Sequence, residues 1–180
     1  LLILLPACQF GGDDLPPPPP DSNRMAEGMA PTPFSAAQIR ESCDDGRVYR
    51  FLNEQRDQVE KYQIMTFGKG DAEHASLGSR ATDRTGKALG DPQHANPSWV
   101  DLQSHASFPA KDCQILTDSI QGPRTTHECW VYRVRGSQDG KPTETLFCFA
   151  KDMPGPPILM ERRVDQELVS RMRLVETCRR

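Results

Sequence analysis

Glu128-Cys129-Trp130-Val131-Tyr132-Arg133-Val134-Arg135 alternates Trp130, Tyr132 and Val134 against Cys129, Val131 and Arg133, and Thr143 to Ala150 returns with Phe147 and Phe149 on one face. A period of two places successive side chains on opposite faces of a sheet, and aromatic and β-branched residues suit that surface. Gly136 to Gly140 turns the chain between the two runs, so the pair reads as a hairpin. The same period extends outward. Val48 to Leu52, Val59 to Phe67, a weaker Ala72 to Thr82, Cys113 to Ile120 and Ile158 to Arg163 read as strands, with turns at Gly68-Lys69-Gly70-Asp71, Asp83-Arg84-Thr85-Gly86 and Gly122-Pro123. Pro154-Gly155-Pro156-Pro157 forces a bend. Leu168 to Val175 can pair back around Asp165-Gln166, although Leu168, Met172 and Val175 also fit a helix.

Helical spacing is confined to two places. Ser35 as cap with Gln38 three residues on forms a capping box, Phe34 with Ile39 forms a hydrophobic staple, and Gly46 stops a helix from about Ala36 to Asp45. Asn96-Pro97 predicts a second start, with Trp99, Leu102 and Ala106 on one face and Phe108-Pro109 at its end. No βαβ alternation occurs. The expected class is α+β, mainly antiparallel β: a meander of about eight strands with one or two short helices packed on it.

The polar excess lies at the front: eight of the 16 prolines fall between Pro6 and Pro33. Residues 9–33, with the run Pro16 to Pro20, read as a proline-rich linker of semi-rigid polyproline II character. Residues 34–180 read as one domain, large enough to bury roughly 70% of its unfolded surface. The net charge of −3 lacks the basic footprint of a nucleic-acid binder. The basic close (Arg162, Arg163, Arg171, Arg173, Arg179, Arg180) reads as a solvated strand face and tail.

Leu1-Leu2-Ile3-Leu4-Leu5 is far short of the ~20 residues that span a bilayer and matches the end of a signal-peptide apolar core. With no initiator Met and no basic leader, the sequence reads as truncated inside that leader or as beginning at a non-standard start. Leu5-Pro6-Ala7-Cys8 resembles a bacterial lipobox, with Pro6 where Ala or Ser is commoner. The resemblance implies that residues 1–8 end a signal peptide and that Cys8 carries diacylglycerol and acyl chains. One chain holds only marginally, but the two or three of a lipoprotein hold firmly. Gln9 in place of Asp resembles an outer-membrane address, so the expected location is the bacterial envelope, anchored to the outer membrane through palmitate-type lipid.

Lipidation of Cys8 leaves five cysteines in an oxidising compartment that permits disulfides. If the hairpin centres between Gln138 and Asp139, residues summing to 277 face each other, which opposes Cys129 to Cys148. Cys43 and Cys178, near the two ends of the domain, form a second candidate pair. Burial of several of these as small apolar residues is the plain alternative. His127 and Cys129 share a strand face but are too few for a metal site. His105 beside Ser107 offers a base without a recognisable nucleophile turn or partner Asp, and no phosphate loop, HExxH or GxSxG occurs. No catalytic residue, metal or cofactor is assigned, and an envelope hydrolase using His105 or His127 ranks below a non-enzymatic reading.

From Phe34 onward the chain resembles a family of predicted bacterial lipoproteins with no assigned activity. The resemblance rests on Ile39-Arg40, on Trp99-x-x-Leu102-x-x-His105-Ala106-x-Phe108-Pro109, on Cys129-x-x-Tyr132, on Phe147-x-Phe149-Ala150-Lys151-Asp152-x-Pro154-Gly155-Pro156-Pro157 and on Met172-x-Leu174-Val175-Glu176. An aromatic is expected where this chain has Cys148, a departure that fits a bridge to Cys129. The resemblance implies a strand for the terminal segment, an envelope location and no catalytic residues. The expected function is an envelope lipoprotein that binds an envelope protein or a lipid, or serves as structure. A lipid-carrier-like variant requires an apolar concave face between sheet and helices.

Overall fold

The computed structural model describes residues 18–43 and 46–179. Two short helices, α1 (Ala36–Cys43) and α2 (Trp99–Ser104), accompany nine strands: β1 (Arg47–Gln55), β2 (Lys61–Gly68), β3 (Ser76–Thr82), β4 (Gln93–Ala95), β5 (Cys113–Gln121), β6 (Thr126–Gln138), β7 (Lys141–Ala150), β8 (Leu159–Val164) and β9 (Glu167–Arg179). They form one open antiparallel sheet in the order β4-β3-β2-β1-β9-β8-β7-β6-β5. Two meanders, β1 to β4 and β5 to β9, are therefore joined through their end members. The first and last strands lie side by side at the centre.

That central ladder runs from Arg47↔Arg179 to Gln55↔Ser170 and contains a bulge, because Arg50 opposes Glu176 while Phe51 opposes Leu174. Val175 is the extra residue, and such an insertion increases local twist. Pairing on both sides, to β1 and β8, resolves the terminal segment as strand despite its helix-compatible spacing.

The ninth strand is β4. Gln93-His94-Ala95 is exposed throughout and has no apolar alternation, so pairing with β3 creates a strand that its own sequence does not announce. Ordered pairing of β3 starts at Ser76 instead of Ala72, and Val59 stays 78% exposed in the turn before β2.

The predicted capping box of α1 is present. Gln38 N donates to Ser35 Oγ at 3.3 Å and Ser35 N to Gln38 Oε1 at 2.9 Å. In α2 the cap falls two residues later than Asn96. Ser98 and Asp101 form the box, because Ala75 N donates to the Pro97 carbonyl at 2.9 Å and Trp99 N to the Glu73 carbonyl at 3.0 Å. Those bonds hold 97–98 extended against 73–75.

The boundary expected at Phe34 also moves. Thr32 is fully buried and Asn23 nearly so. Gln103 Nε2 donates to Thr32 Oγ1 at 3.0 Å and to the Asn23 carbonyl at 3.3 Å, and Tyr132 Oη donates to the Pro31 carbonyl at 2.7 Å. Ala30 N and Ala110 N pair the 28–30 segment with 108–110. Residues 21–33 thus belong to the domain. Hydrogen bonds fasten them, which is why a hydrophobic-periodicity reading takes them for spacer. Residues 1–17, with the lipobox and Cys8, lie outside the described residues. Among the described residues no helix is long and apolar enough to cross a membrane.

The two sheet faces differ in chemistry. One carries Tyr49, Phe51, Phe67, Tyr132 and Phe149 against Phe34, Ile39 and Trp99. The other carries ion pairs: Arg171 and Arg163 to Glu161 at 2.7 and 3.2 Å, Arg173 to Glu54 at 3.5 Å, and Arg133 to Glu144 at 3.7 Å.

Candidate functional site: an apolar cavity under the helix pair

α1 and α2 lie on the aromatic face and leave a cavity of about 180 Å³ between themselves and the sheet. The elements supply its wall in order. Pro33 and Phe34 come from the entry segment, Ile39 from α1, Met65 and Phe67 from β2, and Leu102, Gln103, His105 and Ala106 from α2 and its end. Phe147 and Phe149 come from β7, and Gly155, Pro156 and Pro157 from the loop before β8. Phe34, Ile39, Phe67, Ala106 and Phe149 are buried and form the floor, whereas His105 is exposed and marks the mouth.

Two polar side chains reach this wall, and one is already committed. Besides its bonds to Thr32 and Asn23, Gln103 accepts from Ala36 N at 2.8 Å, so one amide ties α2 to the start of α1 and to the entry segment. Gln103 carries little signal in the sequence beyond being an amide four residues after Trp99, beside the apolar stripe of α2. His105 is the C-cap of α2. A cavity walled by rings and alkyl groups excludes a polar ligand, which would lose its water without replacement hydrogen bonds.

The loop wall is held by a small network. Cys43 Sγ lies 3.5 Å from the Pro154 carbonyl oxygen to which it donates, and its one S–H is thereby used. Tyr49 Oη, 3.4 Å from the same sulfur, is then the donor to it. Gly155, at φ +155°, sits directly on these two side chains. The stretches His105-Ala106 and Gly155-Pro156-Pro157, about 50 residues apart in the chain and both part of the motifs quoted above, meet on this one wall.

The remaining candidates lie elsewhere. His127 Nδ1 is 2.8 Å from Asp152 Oδ1, a partner 25 residues away in the chain. The other edge of the ring packs against Gly122, where a Cβ would stand 2.8 Å from Nε2. Among the described residues no group of three or more His, Cys, Asp or Glu could hold a metal.

All five described cysteines are thiols. The β6–β7 turn is Asp139-Gly140, both at positive φ, so partners sum to 279 and not 277. Cys129 opposes Ala150 and Cys148 opposes Val131. The two cysteines are diagonal neighbours, with backbones about 7–8 Å apart, outside disulfide range. Cys43 touches Tyr49 on the helix side, whereas Cys178 opposes Val48 on the other face, so that pair is separated by the sheet itself. Burial pushes the Cys113 thiol up to about 11 and those of Cys129 and Cys148 up to about 12, and raises Cys43 as well. We expect a thiol reagent at pH 8 to modify Cys178 first among the five, the half-buried Cys113 next, and Cys43, Cys129 and Cys148 only on unfolding, as read by mass spectrometry. These thiols titrate near 9 when unfolded. Their contribution to stability is therefore complete below pH 9 and declines as pH rises through 11 to 12, which alkaline melting curves would register.

No family model and no curated protein matches this chain. Solved structures do match in fold. A protein assigned as a lipoprotein from Parabacteroides distasonis superposes with a TM-score of 0.53 at 10% identity, over 82% of this chain and 98% of that one. The Pseudomonas aeruginosa MucA/MucB complex gives a TM-score of 0.51 at 10% identity, over 78% of this chain. This chain spans about half the length of that matched chain, 54%. The fold is shared; the sequence is not.

Proposed function

We propose that this chain is a lipoprotein of the bacterial envelope, held through acyl groups on Cys8, whose domain binds an apolar ligand or an apolar portion of an envelope partner in the cavity under α2. The cavity carries the reading. It supplies the apolar space between sheet and helices that a hydrophobic-ligand binder needs, and among the described residues its wall is apolar apart from Gln103 and His105. A cavity of ~150 Å³ lined by Leu, Ile and Phe holds a benzene-sized molecule, so this one takes the end of one acyl chain or two branched side chains, not a whole phospholipid. The anchor is supported by the lipobox-like Leu5-Pro6-Ala7-Cys8 and by a fold shared with a protein assigned as a lipoprotein. A second reading, in which a protein partner supplies the apolar group, draws on the MucA/MucB complex among the fold neighbours. Gln9 favours the outer membrane. The role is non-enzymatic, with no resident cofactor.

Two measurements test this. An apolar naphthylamine dye should brighten on the purified chain, and Leu102→Trp or Ala106→Phe should abolish the gain while thermal unfolding stays cooperative. A dye response that both folded variants retain places binding elsewhere. Metabolic labelling with an alkynyl palmitate should mark the full-length product and be lost in Cys8→Ala; an unmarked, soluble wild-type product removes the anchor.

A further inference from the structure

The helix-bearing face continues past the cavity. Strand register sets Phe147, Met160, Met172, Asn53 and Lys61 directly opposite one another in turn across β7, β8, β9, β1 and β2. All five therefore project from the helix-bearing face as one row. Phe147 belongs to the cavity wall. The other four line a second depression, to which neither helix contributes a residue. Phe147, on which Phe108 stacks with ring centroids 4.9 Å apart, Met160, Met172 and Asn53 are half-buried, and Lys61 is exposed.

Its chemistry is graded: an aromatic ring, two thioethers, an amide, an ammonium. Methionines adapt their shape to an apolar chain laid against them. Among the charged groups around this depression, Glu54 is held by Arg173 and Arg171 by Glu161. Lys61 forms no ion pair among the described residues. Four strand spacings of about 4.8 Å put Phe147 roughly 19 Å from Lys61. One leaflet of a bilayer's hydrocarbon core, about half of ~30 Å, sets the reach of one acyl chain. The row is long enough for one such chain and its polar head.

From this geometry we infer that the site takes a single-chain anionic amphiphile of fatty-acid type. Its hydrocarbon end enters the cavity under α2, its middle lies along Met160 and Met172, and its carboxylate meets the Asn53 amide and the Lys61 ammonium. This rests on the cavity reading above and adds a direction, a length and a headgroup to it.

The test is displacement of the naphthylamine dye from the full chain by octanoate, palmitate and hexadecanol. A methylene leaving water altogether contributes about fourfold in affinity. Along a half-open groove, palmitate should bind at least tenfold tighter than octanoate. Hexadecanol should be about threefold weaker than palmitate, the worth of one exposed ion pair. Met172→Gln and, independently, Met160→Gln should erase the long-chain advantage and leave octanoate unchanged, which also shows that each variant is folded. Lys61→Gln should equalise acid and alcohol. Equal affinity for octanoate and palmitate, or a long-chain advantage that both methionine variants keep, overturns the groove and leaves the cavity reading standing. Equal binding of palmitate and hexadecanol overturns the headgroup assignment. A dye that fails to bind at all overturns the groove together with the cavity reading.

Discussion

Replacing Phe34 with alanine is expected to destabilise the domain by about 3–5 kcal/mol, the usual cost of removing a buried aromatic side chain. Phe34 is 2% exposed. Its ring centroid lies 5.7 Å from that of Trp130 and 6.3 Å from that of Phe149, the latter edge-on. It stands at the point where the entry segment, α1, β6 and β7 meet, so no single element can move inward to fill the space. Urea denaturation should show a lower midpoint with little change in slope, because the surface exposed on unfolding is nearly constant. A second effect separates this position from an ordinary core residue. Phe34 also lines the cavity, so the truncated variant should admit a bulkier apolar ligand than the wild type at temperatures where both are folded. A loss below ~1 kcal/mol would mean that the entry segment does not pack as described.

Gly155→Ala is expected to cost about 2–4 kcal/mol, from overpacking and backbone strain together. An added Cβ would stand 2.8 Å from Tyr49 Oη and 3.1 Å from Cys43 Sγ, at a φ of +155° that side chains rarely adopt. Tyr49 cannot retreat. It is fully buried, stacked on Phe51 and edge-on to Phe67, with centroids 6.1 Å away in both cases. The clash therefore falls on the loop of Pro154 to Pro157, and through it on the cavity wall, so dye binding should weaken along with stability. Tyr49→Phe removes the closest atom and should recover about 1 kcal/mol in the Gly155→Ala background, while costing a hydrogen bond in the wild-type background. That sign change is a coupling a double-mutant cycle resolves. Additive costs would show that the hydroxyl is not the obstacle.

Much of the scaffold was legible because its signals are local. The alternation at Trp130, Tyr132 and Val134 and at Phe147 and Phe149 gave both hairpin strands, and Ser35 with Gln38 gave the α1 cap atom for atom. The misreadings share a cause. Register depends on which two residues make the turn, and moving the centre by one position from Gln138-Asp139 to Asp139-Gly140 separated Cys129 from Cys148. Gln93-His94-Ala95 is a strand only because β3 offers it an edge. Asn23 and Thr32 are core residues through hydrogen bonds to Gln103, a partner some 70–80 positions away. Of the cavity, the separate pieces were visible as His105-Ala106 and Pro154 to Pro157. That they face each other was not.

By itself the sequence determined the mainly antiparallel class, the alternation of the hairpin strands and the capped start of α1, since each follows from neighbours within a few residues. Only the tertiary structure decided which strands touch, with first and last side by side, and where five cysteines fall relative to one sheet. It also decided that an apolar space opens between that sheet and the helix pair. Contacts between residues a hundred positions apart depend on how whole faces pack, and no short window of the chain encodes a cavity.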